Sequence, residues 1–333
     1  MEPCVYVTSG WGIHDERWTT ALRSIGFTPH IVRLGIDVLD ASDPGELRSL
    51  VAEYAGPNIP VLAGPLDTVT SLLAGLEARV IGLSWGFDLH RMNDATWLPQ
   101  LAGVIIDSQA TAQLAIQAGV NPEAITFLPW GVDLEVFNAT GPTSDMTHWG
   151  VPPGARALVS LRAHEPLYRV GDILDAFARI TDEFQDAHLV IGNSGSLTNE
   201  LREQVRSRGI EERTHFIGSL AESELPPLLR AASAYVSASE VDGTSVTLLQ
   251  AMACHAPVVV SSTPGNRGWV TPGESGYLFT TGDLDDLAAQ LRSALTSTPE
   301  QTAPITSTAR ERVEHEANWQ ANLPRLAQAL RQG

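Results

Sequence analysis

Residues 239–262 read SEVDGTSVTLLQAMACHAPVVVSS, and the order of features in this stretch decides the fold. The run leading into it, AYVSAS at 234–239, is short, apolar and rich in strand formers. SVTLLQAMA at 245–253 is helix-forming, and APVVVSS at 256–262 returns to a β-branched run. Strand, loop, helix and strand in that order make a parallel βαβ unit, with Asp242, Gly243 and Thr244 in the loop before the helix. Glycine lets a ligand approach the backbone closely, and the first-turn N–H groups with the positive end of the helix dipole attract an anion. A diphosphate suits such a tip. The spacing supports two readings equally: an anion-holding helix tip, or a core helix capped by Ser245. Thr247 and Gln250 share one helix face with Gly243 close to it, while Val246, Leu249 and Ala253 line another.

The same alternation runs through the chain. CVYVTSG, a helix ending at Gly26 and TPHIVRLG open a β-α-β series. It continues through a helix over 44–55, the strand IPVLAG, a helix over 68–76, the strands ARVIGLSWG and LAGVIIDS, and a helix over 109–118. The stretch 138–154, NATGPTSDMTHWGVPPG, is rich in Gly, Pro, Ser and Thr and reads as a linker. A second alternating series follows, with helices expected over 170–180, 197–208, 222–232, 245–253 and 284–295. The pattern predicts an α/β protein of two Rossmann-like, doubly wound domains: 1–140, 155–310, and terminal helices over 311–333 crossing back to the first domain. Ligands are expected where strand C-termini face a cleft.

Composition narrows the chemistry. The chain has 333 residues and a net charge of -18, which excludes a nucleic-acid partner because phosphate backbones need clustered cations. All 21 basic residues are Arg, so Schiff-base and Walker-lysine chemistry are out of reach. Cys4 and Cys254 lie far apart and form neither a disulfide framework nor a metal spacing. No apolar run reaches the length of about 18–20 residues that spans a membrane, and no signal-type segment opens the chain, so a cytoplasmic location is expected with peripheral membrane contact left open.

DGTSVTLLQAMACHAPVVVSSTPGN resembles the donor-site motif of the family-4 retaining glycosyltransferases of GT-B fold, in which two Glu residues stand where this chain has Asp242 and Gln250. LPWGVDLEVF, LRAHEPLYRVGDILDAFARI, LVIGNSGSLTNELREQ, THFIGSLAESELPPLLRAASAYVSAS and PGESGYLFTTGDLDDLAAQL resemble further family segments in the same order, covering 127–295. The resemblance implies a hexosyl transfer from a UDP- or GDP-sugar to a small-molecule, glycan or glycolipid hydroxyl, with no metal cofactor required. By the same resemblance, Arg162 binds the donor diphosphate and stabilises the leaving group. The family's lysine has no counterpart, and either Arg169 or Tyr168 takes its place. Asp242 contacts the transferred sugar, Gln250 the ribose hydroxyls, and Gly243, Thr244, Ser245 and Val246 supply the helix tip. Gly192 and Asn193 fall on the donor loop, Gly218 on the segment near the base, and Gly268 where a further Glu is common.

The first domain matches less well. The loop SGWGIHDERW carries Gly10 and Gly12, and Gly12 is placed with the donor-binding residues. His14, Asp67, Trp85 and Asp88 are the acceptor-side candidates, with Asp88 as a catalytic group and Trp85 as a sugar-stacking surface. An Asx-turn explains Asp88 as well, and a first-turn cap explains Asp15. The departures at Gln250, Gly268 and the lysine position keep open a second reading, a catalytically impaired sugar-nucleotide-binding protein or partner subunit of the same fold. A sugar-nucleotide epimerase of this fold is a third.

Overall fold

The computed structural model describes residues 1–35, 43–56, 58–86 and 88–332. The chain divides into two units, the first from residues 1–129 with 320–333, the second from residues 130–319.

In the first unit, β1 (Glu2–Thr8) leads into α1 (Ile13–Ser24), followed by β2 (Phe27–Arg33), α2 (Pro44–Tyr54), β3 (Val61–Ala63) and β4 (Val80–Leu83). Next come α3 (Asp88–Arg91), β5 (Gly103–Ile106), α4 (Gln109–Gln117) and β6 (Ile125–Phe127). The six strands form one sheet in the order β2-β1-β3-β4-β5-β6, every neighbouring pair parallel. Val5, Val7, Val61, Ala63 and Val80 fill its core from alternate strand positions. The helix expected over 68–76 is a single 3-10 turn, Thr70–Leu73. Thr70 turns its hydroxyl to the Ala63 carbonyl at 2.6 Å, and Gly75 takes a left-handed φ of 71° that ends the turn.

The second unit repeats the scheme with β7 (Arg156–Ser160), α5 (Val170–Ala178), β8 (Ala187–Gly192), α6 (Thr198–Arg208), β9 (Thr214–Gly218) and α7 (Leu225–Ala231). It continues with β10 (Ala234–Ser237), α8 (Val246–Ala253), β11 (Val258–Ser261), α9 (Pro264–Arg267), β12 (Tyr277–Phe279), α10 (Leu284–Thr296) and α11 (Pro299–Glu316). Its parallel sheet has the order β12-β11-β10-β7-β8-β9, so the order reverses at β7, which pairs with β10 on one side and β8 on the other. Where a helix was expected over 222–232, Pro226 and Pro227 confine the α-helix to α7; Leu225 and Pro226 start it, since proline is tolerated in a first turn.

The stretch 138–154 lies inside the second unit rather than between the two. Arg230 holds it by donating to the carbonyls of Pro142 at 2.9 Å and Asn138 at 3.0 Å, and the Ser144 N–H donates to Pro227 O at 2.9 Å. Met146 and Val151 are buried in the core. The last helix, α12 (Trp319–Arg331), begins where the Trp319 N–H donates to Val132 O at 3.0 Å, and its remainder belongs to the first unit. There Leu326 and Leu330 are buried, Arg79 donates to the carbonyls of Ala329 and Gln332, and Arg331 pairs with Glu2. Among the described residues no helix is long and apolar enough to cross a membrane.

Candidate functional site

In the second unit the C-terminal ends of β7 and β10 lie side by side at the strand-order reversal, where open parallel sheets bind ligands. Arg162 follows β7; Asp242 and the tip of α8 follow β10. Arg162 donates from Nη2 to Asp242 Oδ1 at 2.6 Å and from Nη1 to Ser245 Oγ at 2.8 Å. Ser245 is the N-cap of α8, yet its capping bond from the Leu248 N–H is long, 3.4 Å. Its shorter contact is with the arginine, so the hydroxyl serves the site more than the helix.

A guanidinium at the positive end of a helix is a costly juxtaposition unless an anion joins it. Asp242 is that anion. The pair is nearly closed off from water, with 11% and 10% of the two side chains exposed. Burial pulls the Arg162 pKa down, but the Asp242 charge, Tyr235, Tyr168 and the Asp242 hydrogen bond together more than offset it, and the guanidinium sits above its ordinary value. Tyr168 lays its ring 4.1 Å from the Arg162 guanidinium carbon.

Three polar atoms here are buried without a hydrogen-bond partner: Arg162 Nε, Asp242 Oδ2 and Gln250 Oε1. Ser160 Oγ, at the end of β7, is a fourth. Unsatisfied buried groups cost about 1–3 kcal/mol each, so Arg162 Nε and Asp242 Oδ2, the two on one ion pair, mark a place that can receive polar atoms.

The loop carrying Asp242 is clamped from behind. A Cβ on Gly265 would stand 2.0 Å from Gly243 O and 2.2 Å from Asp242 O, so only glycine lets α9 come this close. Ser261 donates to Ser239 O at 2.6 Å, Asn266 Nδ2 donates to Ser261 O at 2.9 Å, and the Glu240 N–H donates to Leu167 O at 2.9 Å. The packing of Gly265 and this polar chain were not legible in the sequence, because both join residues far apart along it.

The other expected donor residues sit at adjacent strand ends. The Asn193 N–H, after β8, donates to Gly218 O at 2.6 Å, and both residues have left-handed φ, 76° and 72°. Gly192 abuts Leu161, where a Cβ would come within 2.7 Å of Cδ2. His164 is buried between Thr198 Oγ1 at 2.8 Å and Gly192 O at 3.2 Å, tying the end of β7 to β8; burial holds its pKa below the usual imidazole range. Gly243, Thr244 and Ser245 are buried at the α8 tip, and Val246 is partly buried. Gly268 closes α9.

Arg169 points elsewhere. Its Nε pairs with Asp172 at 2.8 Å, and its guanidinium lies beside Gly282, where a Cβ would meet Nη2 at 3.3 Å. Beside Arg162 the structure places the ring of Tyr168.

In the first unit, Gly12, His14 and Trp85 line one concavity of about 360 Å³ at the ends of β1 and β4, together with Gly10, Trp11 and Asp15. Asp15 caps the helix, accepting from the Gly12 N–H at 2.8 Å and from Tyr6 Oη at 2.9 Å. Asp88 is bonded as a brace. Fully buried, it accepts from Ser84 Oγ at 2.7 Å and from the N–H groups of Trp85, Leu89 and Leu66 at 2.9, 2.9 and 3.0 Å. Burial raises its pKa against the pull of those four bonds. Asp67 pairs with Arg91 at 3.0 Å, and neither Asp67 nor Asp88 lines the concavity among the described residues. Trp11, unremarked in the sequence, does. Among the described residues no cluster of three or more His, Cys, Asp or Glu could hold a metal ion.

The model of the family described as "Glycosyl transferases group 1" matches residues 145–312, just over half of the chain. The "Alpha-monoglucosyldiacylglycerol synthase" of Streptococcus pneumoniae is 27% identical over 209 residues, 61% of this chain and 47% of that protein. The "MMP alpha-(1->4)-mannosyltransferase" of Mycolicibacterium hassiacum is 26% identical over 238 residues, 71% of this chain and 55% of that protein. The chain spans about half the length of the curated relatives it matches. Among solved structures, Anabaena Alr3699/HepE in complex with UDP and glucose matches with a TM-score of 0.79 at 18% identity, over 99% of both chains. A glycosyltransferase from Rickettsia africae matches with a TM-score of 0.82 at 14% identity, over 99% of this chain and 97% of that one. These likenesses establish the GT-B fold.

Proposed function

Because the chain belongs to the glycosyl transferases group 1 family and has the GT-B fold, we propose that it is a retaining glycosyltransferase, moving a hexose from a nucleotide diphosphate-sugar to an acceptor hydroxyl. The observation that carries this reading is Arg162, held between Asp242 and Ser245 at the α8 tip, with its Nε and Asp242 Oδ2 unpartnered, and Gln250 Oε1 unpartnered further along α8.

The donor diphosphate displaces Asp242 as the anion on Arg162 and takes the α8 N–H groups as further partners. Asp242 is thereby released toward a hydroxyl of the transferred sugar, while Gln250 Oε1 accepts from a ribose hydroxyl. In the reaction the bond between the anomeric carbon and the diphosphate oxygen breaks, and a bond to the acceptor oxygen forms on the same face. The acceptor proton passes to the departing diphosphate. Arg162 and the helix tip meet the charge that develops on the leaving group. No metal is invoked in these steps. HepE was solved with UDP and glucose, which supports UDP as the first nucleotide to try, with GDP beside it.

The test is turnover by Arg162→Ala. Loss of one positioned charge at a leaving group costs on the order of 10²–10³ in rate, so transfer should fall by about that factor with an unchanged circular dichroism spectrum. Undiminished turnover would sink the assignment. Tyr168 in place of a second cation, together with Gln250 in place of Glu, favours one competing reading, a binder that holds nucleotide-sugar without transfer. A panel of nucleotide-sugars separates the two: nucleoside diphosphate release supports transfer, and binding without release across varied acceptors supports the binder.

A further inference from the structure

We propose that Tyr235 is a positioning residue for Arg162: through Thr247 it holds the Ser245 hydroxyl toward the guanidinium, which keeps its aim when the donor diphosphate displaces Asp242. The inference deepens the proposed function and rests on it.

The setting of the phenol is the first argument. Tyr235 lies on β10, with Val159 of β7 and Val258 of β11 as its register partners, and it is wholly buried. Its chain neighbours Ala234 and Val236 are apolar core residues, and phenylalanine would fill the same space. A hydroxyl in such a place costs free energy unless it is bonded. Its Oη meets Thr247 Oγ1 at 2.7 Å, on the first turn of α8.

What Thr247 would do alone is the second. A threonine in a helix has two favoured rotamers, because its hydroxyl can turn back to a carbonyl three or four residues earlier. The bond to Tyr235 Oη selects the rotamer in which Thr247 Oγ1 stands 3.4 Å from Ser245 Oγ, a contact long enough to orient rather than bind. Without the phenol the threonine hydroxyl is free to return to the helix.

The division of Ser245 is the third. Its oxygen faces two donors, Arg162 Nη1 at 2.8 Å and the Leu248 N–H at 3.4 Å, and with both lone pairs engaged its own hydrogen must be donated. Thr247 Oγ1 is the acceptor on that side, with one lone pair for Ser245 and one for Tyr235. Given that outlet, the serine oxygen sits close to the arginine and stands off the helix N–H. The charges agree with this. Burial raises the Tyr235 pKa against the opposing pull of the Arg162 charge, so the phenol keeps its proton and serves as a donor. A neutral, fixed dipole behind a buried ion pair aims it without adding a charge that a diphosphate would meet.

The experiment titrates UDP and GDP by calorimetry into the whole chain, as wild type and as Tyr235→Phe, Thr247→Val, Ser245→Ala and the double variant Tyr235→Phe with Ser245→Ala. Tyr235→Phe and Thr247→Val should each weaken the better nucleotide by about fivefold, the scale of one neutral hydrogen bond, and Ser245→Ala by about tenfold. The double variant should bind as Ser245→Ala does, since the route through Ser245 is already cut. A phenol that merely supports the fold would instead weaken binding by the same factor in either background. The inference is overturned by that additivity, or by wild-type affinity in Tyr235→Phe or in Thr247→Val. Should Tyr235→Phe not fold, Thr247→Val carries the same cycle with the same two outcomes. Arg162→Ala, run in parallel, separates the two readings. A wild type that binds neither nucleotide removes both, whereas weakened binding in Arg162→Ala beside unchanged binding in Tyr235→Phe removes the inference alone.

Discussion

The two units have the same layered architecture but hold charge at their strand ends in opposite ways. In the second unit, Arg162, the α8 tip and Asp242 form a set in which Asp242 Oδ2 and Arg162 Nε are buried without partners, as is Gln250 Oε1 further along α8. In the first, Asp15 and Asp88 have every bond they need: Asp15 holds Gly12 and Tyr6, and Asp88 holds four donors. A charge with unsatisfied neighbours is available for exchange with a ligand. A saturated one holds a loop in place. The difference is why the same residue type, aspartate, marks a site in one unit and a brace in the other.

The sharpest way to break this contrast is Asp88→Ala. It strands three backbone donors and a buried hydroxyl, so the first unit should lose about 3–5 kcal/mol, read as accelerated hydrogen exchange over residues 61–106. Activity loss with unchanged exchange would instead make Asp88 a catalytic group. Next in size is Gly265→Ala, whose Cβ would press on the carbonyls of Gly243 and Asp242; about 1–3 kcal/mol of destabilisation and weakened nucleotide binding are expected. Gly10→Ala in the first unit is the matched control, since nothing lies within 4 Å of its added Cβ, and its melting curve should overlay wild type.

Smaller still is Gln250→Glu. Replacing a neutral acceptor by a charged one beside the ribose should tighten donor binding by roughly 1 kcal/mol in calorimetry. Unchanged affinity would remove Gln250 from the ribose. The smallest effect concerns pH. His164 and His188 are buried in the second unit with pKa values below 6.5, first through burial. Their unfolded counterparts titrate near 6.5, so the unfolded chain binds more protons. The stabilisation is complete above that pH and is lost as pH falls through 6.5 toward the lowered folded values. Hydrogen exchange over β8 and β9 at pH 7.5 and at about pH 5.5 should show it, and equal protection at both would contradict it.

Much of this was legible in the sequence because it rests on local order. A β-rich run, a glycine loop and an apolar helix over 234–253 fix a βαβ unit with Asp242 in its loop and Ser245 at the helix start, while Arg162 was legible only through the family resemblance. What stayed hidden depends on non-local packing. Asp88 reads the same in sequence whether it faces a ligand or holds Leu66, which is 22 residues away. Arg169 and Tyr168 are neighbours, yet in the structure Arg169, with a left-handed φ of 47°, pairs with Asp172 while Tyr168 lies over Arg162. Gly265 looks like a turn glycine until the carbonyls of Asp242 and Gly243 are seen against it. The stretch 138–154 has the composition of a linker but is stitched down by Arg230.

The central claim is that Arg162 at the α8 tip is the diphosphate anchor, and calorimetric titration of UDP and GDP into wild type and Arg162→Ala tests it most directly. Removing a charge-assisted bond of about 1.5–3 kcal/mol should weaken the better nucleotide by roughly 10- to 100-fold. Equal affinity of the two proteins for both nucleotides would contradict it.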